Sequence, residues 1–209
     1  MSVQSKALEK KFIENFEHAV PDEKVRRILL NASEVFAKKG LAGTKIKDIA
    51  AKAGFSQGFV YNYFQSKDDI FTRLVDLAAE GAGISVKYAS EQEGTPYEKI
   101  FWLTEALLSA DSIAMQHWRL LMTQASSSEA VPEAAIKIAK EKAKLPFEHF
   151  IPMVADGQKA GEIADDPPIV LAVTYFSIVQ GLALTRIQNG NGIPFPTTEM
   201  VLRFMRKER

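Results

Sequence analysis

The sequence predicts an all-α fold, and three observations support that prediction. Apolar residues recur at spacings of three and four along nearly every segment, which is the period of amphipathic helices. Strand-like alternation bounded by turn residues is missing, and there is no internal repeat. With 46% hydrophobic and 25% charged residues among 209, the chain also has ample material for a packed core.

The composition argues against several classes of function. The chain has no cysteine, which removes disulfides, thiolate zinc sites and cysteine nucleophiles. Its three histidines, at positions 18, 117 and 149, do not have metal-ligand spacing. No nucleophile–base pair and no phosphate-cradling glycine loop stands out. We therefore expect no metal, no cofactor and no enzymatic activity.

The sequence also suggests where the protein works. Residues 1–20 contain no uninterrupted apolar run, so they do not resemble a secretory signal. We find no stretch of about 20 apolar residues and expect no membrane span. Because the chain lacks cysteine, it suits a reducing compartment, and we expect a cytoplasmic protein.

The first 20 residues form a separate extension in this interpretation. Leu8, Phe12, Phe16 and Val20 recur every fourth residue, which predicts an amphipathic helix. A helix this short is marginal alone, so two alternatives remain: it docks on the rest of the protein, or it is a frayed tail.

The first strong helix is predicted from about Pro21 to Lys39. Proline and acidic residues suit its start, and Gly40 supplies a stop. A single apolar stripe runs along it: Val25, Ile28, Leu29, Ala32, Val35 and Phe36.

Two short helices with a glycine-containing turn are predicted next. The second helix starts after Thr44 as its N-cap and ends near Ala53. Gly54 can adopt positive φ in the turn, and Ser56 can cap a third helix over residues 57–64. This arrangement is typical of a DNA-binding helix-turn-helix.

Further helices are predicted over residues 67–89, 96–109, 112–125, 132–160, 166–188 and 198–207. Pro146 and Pro152 fall within the fourth of these. Each removes a backbone donor, so that helix should kink or divide.

Positive charge is concentrated around the predicted helix-turn-helix. Residues 38–67 contain six lysines and one acid, Asp48, although the whole chain has a net charge of zero. Such a concentration favours binding to DNA phosphates.

Three motifs in this region carry a family resemblance. They are GT-x-I-x-DIA at 43–50, KAGFS at 52–56 and VYNYFQSKDDIF at 60–71. Together they resemble the DNA-binding signature of the tetracycline-repressor (TetR) family of bacterial regulators, over about residues 22–80. The resemblance implies a DNA-binding domain at 21–66, after the extension 1–20, and a helical effector-binding and dimerisation domain at 67–209.

The function that the resemblance implies is that of a homodimeric, sequence-specific regulator. We expect a repressor that a small, mostly apolar effector releases from a palindromic DNA operator. The alternative is an architectural DNA-binding protein of the same fold without an effector. The sequence does not specify the effector, the operator, the regulated genes or whether transcription is repressed or activated.

The expected DNA-binding residues serve two purposes. Phosphate contacts position the protein, and lysine, threonine and tyrosine side chains can make them. Base contacts give specificity: Gln57 can bond an adenine edge, Phe59 can pack on a thymine methyl, and Gly58 lets the backbone approach. The full expected set is Thr44, Lys45, Lys47, Gln57, Gly58, Phe59, Tyr61, Asn62, Tyr63 and Lys67.

Large, soft side chains in the C-terminal region suggest an apolar effector pocket. His117 is its candidate polar group. The alternative for each residue is ordinary core packing. The expected lining consists of Phe101, Trp102, Met115, His117, Trp118, Met122, Phe147, Phe150 and Tyr175.

Residues 169–187 are apolar almost all round, which predicts a helix with a second partner, either in a dimer or within a monomer core. Small residues every fourth position would let another helix approach closely. The expected dimer interface consists of Val173, Ser177, Gly181, Leu184, Thr185, Val201 and Phe204.

Overall fold

The computed structural model describes residues 2–108, 131–189 and 193–207, and of residues 187 and 188 only the backbone. It divides into two compact units. The first unit comprises Ile13–Gly81 with Ser112–Ala143, and the second comprises Met1–Phe12, Ala82–Asp111 and Lys144–Arg209. The regular secondary structure in the described ranges is helical, as predicted.

Helix α1 (Val3–Ala19) forms where the four-residue spacing predicted it. Leu8, Phe16 and Val20 are buried, so the extension packs on the protein rather than fraying. Of the two alternatives left open by the sequence, docking is the one observed.

Helix α2 (Glu23–Gly43) begins with an N-cap, because the Asp22 carboxylate accepts hydrogen bonds from the Lys24 and Val25 backbone N–H groups. The predicted stop at Gly40 is confirmed as a break in helical geometry, with φ of 67°. The predicted stripe is buried from Ile28 to Phe36. This face forms the centre of the first unit's core, with Phe36 in an edge-on contact with Phe71 at 5.3 Å.

Helix α3 (Ile46–Ala53) and helix α4 (Gln57–Tyr61) form the helix-turn-helix. Gly54 has φ of 71° at the turn, a conformation that glycine adopts without strain. The Ser56 hydroxyl accepts a hydrogen bond from the Phe59 N–H, which confirms Ser56 as the N-cap of α4. α4 is shorter than predicted, although Phe64 beyond it is buried, as is Val60 within it.

The N-cap predicted at Thr44 is wrong. Lys45 holds that position, and its backbone N–H donates to the Asp48 carboxylate at 3.1 Å. The Thr44 hydroxyl instead donates to the Gly40 carbonyl at 2.7 Å, because the break in α2 leaves that carbonyl within reach.

Helix α5 (Lys67–Ser90) closes the first unit and continues into the second. Its buried residues in the first unit include Ile70, Phe71 and Leu74. Helix α7 (Glu133–Lys142) belongs to the first unit as well. Its last residue, Lys142, forms ion pairs with Asp76 and with Glu80 of α5.

The second unit is built on helix α6 (Pro96–Leu108), helix α8 (Leu145–Lys159), helix α9 (Pro168–Asn189) and helix α10 (Thr198–Leu202), followed by a 3-10 turn at Arg203–Met205. Ile100, Leu103, Phe150, Tyr175 and Leu202 meet in its core. The end of the chain is tied to the segment after α8, because the Ala164 N–H donates to the Met205 carbonyl and the Lys207 N–H to the Glu162 carbonyl.

The long helix predicted over 132–160 is divided near Pro146. α7 ends at Lys142 and α8 begins at Leu145, so that Pro146 occupies the first turn of α8, where a missing N–H is tolerated. Pro152 lies inside α8. The helix predicted over 112–125 lies outside the described residues.

Helix α9 corrects one expectation. Within the described residues, Pro168–Arg186 is long and apolar enough to cross a membrane by length and composition, although we expected no such stretch. The reason is that its polar residues before Arg186 are few and uncharged. Within this chain, 28% of the apolar segment is buried.

Candidate nucleic-acid interface

The exposed face of α4 carries side chains that can form hydrogen bonds with DNA bases. Gln57, Gly58, Tyr61 and Asn62 are all exposed, and Tyr61 retains 51% of its surface. Val60 on the opposite side is fully buried and holds the helix on the core. The face therefore exposes the amides of Gln57 and Asn62, the phenol of Tyr61 and, at Gly58, a position without a side chain.

A ladder of three aromatic rings lies along one edge of this face. Phe55 and Phe59 stack with ring centroids 4.5 Å apart, and Phe59 and Tyr63 follow at 5.4 Å. Phe59 and Tyr63 are half-buried. Since part of the Phe59 ring is engaged by its neighbours, only its remaining edge is available for a thymine methyl.

The lysines of the basic region divide into engaged and available groups. Lys39 forms an ion pair with Asp48 at 3.1 Å, and Lys52 forms one with Glu34 at 2.8 Å. Lys45 and Lys47 are exposed, and neither forms an ion pair with a described residue. They are the expected phosphate-binding lysines whose charge is directed at solvent.

Asp48 reduces the local positive charge. The hydrogen bond with Lys39, and then the one from the Lys45 backbone N–H, hold the pKa of Asp48 below its usual value of 3.8. The carboxylate is thus ionised at neutral pH. It neutralises Lys39 and fixes the first turn of α3.

Two expected phosphate contacts require correction. Thr44 is buried, and its hydroxyl proton is directed at the Gly40 carbonyl, so that hydroxyl does not face DNA. The Lys67 ammonium donates to the carbonyls of Leu41, Ala42 and Thr44 at 2.7, 3.3 and 3.1 Å. Its three protons are used inside the unit, where they satisfy the carbonyl end of α2.

Two cations near the reading face were not singled out from the sequence. Lys24 lies over the Phe59 ring and Arg27 over the Phe55 ring, at 5.8 and 5.0 Å from the centroids. Their three-residue spacing along α2 was a signal in the sequence, but it becomes informative only once α2 and α4 are seen side by side.

The comparisons with known proteins agree with this geometry. Residues 28–74 match the sequence model for bacterial regulatory proteins of the tetR family. The uncharacterized HTH-type transcriptional regulator YfiR of Bacillus subtilis is 28% identical over 159 residues, which span 74% of this chain and 75% of that protein. The structure of the MbdR regulator from Azoarcus sp. CIB superposes with a TM-score of 0.73, at 21% identity, over 89% of this chain and 99% of that one.

Residues 28–74 form a tetR-family DNA-binding region, and the chain as a whole is similar to HTH-type transcriptional regulators. A further relative, the HTH-type transcriptional activator FasR of Mycolicibacterium smegmatis, is 25% identical over 120 residues, which are 57% of this chain and 55% of that protein. The family consists of regulators rather than enzymes, in agreement with the expectation from the sequence.

The residues expected to line an effector pocket fall into three groups. Phe150 and Tyr175 are fully buried and stacked at 4.4 Å, which is core packing. Phe101, Trp102 and Phe147 are half-buried at the edge of the same core. The remaining four, Met115, His117, Trp118 and Met122, lie outside the described residues.

One polar pair is built into this core. The Tyr175 hydroxyl and the Thr104 hydroxyl lie 3.0 Å apart, and the Thr104 hydroxyl is also 2.7 Å from the Ile100 carbonyl. Because Thr104 donates to that carbonyl, the Tyr175 hydroxyl is the donor between the two. The buried phenol is therefore satisfied within the chain.

The expected dimer residues are also divided. Val173 is 50% exposed, Ser177 and Gly181 are exposed, and Leu184 and Thr185 are partly so. Phe204 is half-buried against the second unit's core. Val201 requires correction: at 5% exposure it packs inside its own chain and is not available to a partner.

Proposed function

We propose that this regulator reads a palindromic DNA operator with the exposed face of α4 and represses transcription from it. The observation that supports this most directly is the joint exposure of Gln57, Gly58, Tyr61 and Asn62 on a helix whose opposite face is buried. Glutamine and asparagine amides can pair with an adenine edge in two hydrogen bonds, which gives base discrimination in the major groove.

We propose separate roles for the residues beside this face. Lys45 and Lys47 neutralise phosphates, since both are exposed and neither forms an ion pair with a described residue. Tyr61 and Tyr63 place hydroxyls at the rim, and Phe59 offers a ring edge to a thymine methyl. In this proposal residues 21–66 are the DNA-binding domain, residues 1–20 its extension, and residues 67–209 the effector-binding and dimerisation domain.

The dimer is proposed to form on α9. Ile169, Val173, Ser177 and Gly181 follow one another every fourth residue and are all exposed, so they form one stripe. Apolar residues on such a stripe gain from burial, and the small ones allow close helix approach. This accounts for an apolar helix of membrane-spanning length in a protein that we propose to be cytoplasmic.

The proposed effector is a small, mostly apolar molecule that binds at the aromatic edge of the second unit. Phe101, Trp102 and Phe147 are half-buried there, and adaptable aromatic walls suit such ligands. Fully buried Phe150 and Tyr175 would support the wall from behind. Effector binding would then release the operator by shifting the equilibrium between two conformations.

Activation is the second candidate for the direction of regulation. FasR, a relative of this chain, is described as an activator, and the direction depends on where the operator lies relative to a promoter. A reporter carrying the selected operator at two positions, upstream of and overlapping a promoter, would separate the two outcomes.

The test of base reading is a selection of bound sequences from a random duplex pool at near-physiological salt, with wild type and Gln57→Ala in parallel. We expect one enriched site with wild type, and a loss of preference at one or two symmetric positions with the variant. No enrichment with wild type, despite salt-sensitive binding, would favour the architectural alternative. An identical site with both proteins would remove Gln57 from the reading face.

A further inference from the structure

Two cations of α2 lie side by side along the aromatic ladder of Phe55, Phe59 and Tyr63. The Arg27 guanidinium lies over Phe55 and the Lys24 ammonium over Phe59. Residues 24 and 27 are one helical turn apart on α2, and the Phe55 and Phe59 rings stack with centroids 4.5 Å apart, so each cation lies over one of two neighbouring rings. They form a cationic rim beside the proposed reading helix.

The Arg27 side chain is held where the reading helix begins. Its Nη2 atom lies 2.7 Å from the point where a Cβ on Gly54 would stand, so glycine at this turn leaves the space that the guanidinium fills. Gln57, the first residue of α4, follows three positions later. The guanidinium thus packs against both the turn and the Phe55 ring.

Neither cation is neutralised within the described residues. Lys24 and Arg27 are both exposed and form no ion pair there, in contrast to Lys39 and Lys52, which pair with Asp48 and Glu34. A cation held on a ring keeps its charge and its remaining donors for another acceptor. A fixed side chain also loses less conformational entropy on binding.

The location beside α4 identifies the acceptor. A helix with its side chains is about 10–12 Å across, and the major groove is about 12 Å wide. When α4 fills the groove, cations along its edge meet the groove's rim, where the phosphates lie. We propose that Arg27 and Lys24 form a phosphate-binding pair that α2 contributes to the DNA interface. This inference rests on the proposed function of α4.

The test is the salt dependence of binding to a labelled duplex of unrelated sequence. Each phosphate contact contributes about 0.9 to the slope of log Kobs against log salt concentration. We expect Arg27→Gln to reduce the magnitude of the slope by about one contact, and the double variant Lys24→Gln, Arg27→Gln by about two. Arg27→Lys keeps the charge and should retain the wild-type slope.

The matched control is Lys52→Gln, which removes the same charge from a lysine already paired with Glu34. Its slope should equal that of wild type, and thermal melts should show that every variant is folded. If folded Arg27→Gln keeps the wild-type slope, Arg27 only packs on Phe55, and the inference is overturned. If wild type itself shows no salt-dependent binding, the proposed function fails and the inference fails with it.

Discussion

At the scale of single residues, the carbonyl end of α2 shows how a lysine predicted to bind DNA can serve the fold. The last turn of α2 carries no basic residue of its own, and Lys67 from α5 supplies the positive charge there. A charge at that end also complements the helix dipole. The bond joins residues 26 positions apart, a distance over which sequence periodicity carries no information.

We predict that Lys67→Met lowers the free energy of unfolding by about 2 kcal/mol, because carbonyls at the break in α2 lose a charged donor. Urea denaturation measures this. The control is Lys47→Met, where the side chain is exposed and forms no ion pair with a described residue, so stability should change by less than about 0.5 kcal/mol. Unchanged stability of Lys67→Met, together with lost DNA binding, would restore the phosphate role instead.

The other residue assignments differ in how well the sequence supported them. Val60 and Phe64 were predicted core residues and are buried, because four-residue spacing on a helix decides burial directly. Thr44 was misassigned because a threonine hydroxyl before a helix can either cap that helix or donate to a carbonyl of the helix before it. That choice depended on the break at Gly40, which positions the acceptor.

At the scale of helices, the helical spacing of apolar residues and the positions of glycine and proline were sufficient to predict most of the fold. The stop at Gly40, the turn at Gly54 and the division near Pro146 were all predicted, because glycine and proline act locally. The spacing of apolar residues did not predict which helices pack against each other. The contact of α7 with α5 through Lys142 depends on tertiary structure and has no sequence signature.

We predict a measurable coupling between Lys142 and Glu80, whose charged atoms lie 2.6 Å apart. A double-mutant cycle with Lys142→Met and Glu80→Gln should give about 0.5–1 kcal/mol, a modest value because solvent screens these partly exposed side chains. The control is Lys137 with Glu141 on the same helix, 3.9 Å apart and well exposed, where coupling should be close to zero. Equal coupling in both cycles would contradict a specific tie between α5 and α7.

The pH dependence of this coupling has a defined sign. Burial lowers the pKa of Lys142, but its hydrogen bonds to Asp76 and Glu80 outweigh burial and raise the pKa above its usual value of 10.5. A lysine whose pKa is raised in the folded state stabilises that state at every pH below the pKa of the lysine in the unfolded chain. The coupling should therefore persist from pH 7 to pH 9. It should be lost only as the pH rises past the folded pKa; a loss below pH 9 would be incompatible with this account.

At the scale of the whole molecule, the sequence predicted the DNA-binding region more securely than it predicted the effector pocket and the dimer interface. The motifs at 43–71 are contiguous, and they include Gln57, Gly58, Tyr61 and Asn62, which are exposed together along α4. The expected effector residues that the structure describes are spread over α6, α8 and α9 and mix core with edge positions, because aromatic composition alone does not distinguish a pocket wall from a core. The same limit explains Val201, which is apolar and at helical spacing but packs inside its own chain.

In the proposed regulator, a dimer formed on the α9 stripe presents two reading faces to one palindromic site. The most direct test is the molar mass in solution, alone and on the selected duplex, of wild type, Val173→Glu and the control Val3→Glu. Val3 is exposed on α1 and outside the stripe. We predict that wild type and Val3→Glu are dimers that bind the duplex as two chains per palindrome. Val173→Glu should be a folded monomer with weak binding, because a charge cannot be buried unpaired at the interface. A wild-type monomer on a single half-site, or a Val173→Glu protein that remains a dimer, would contradict the account.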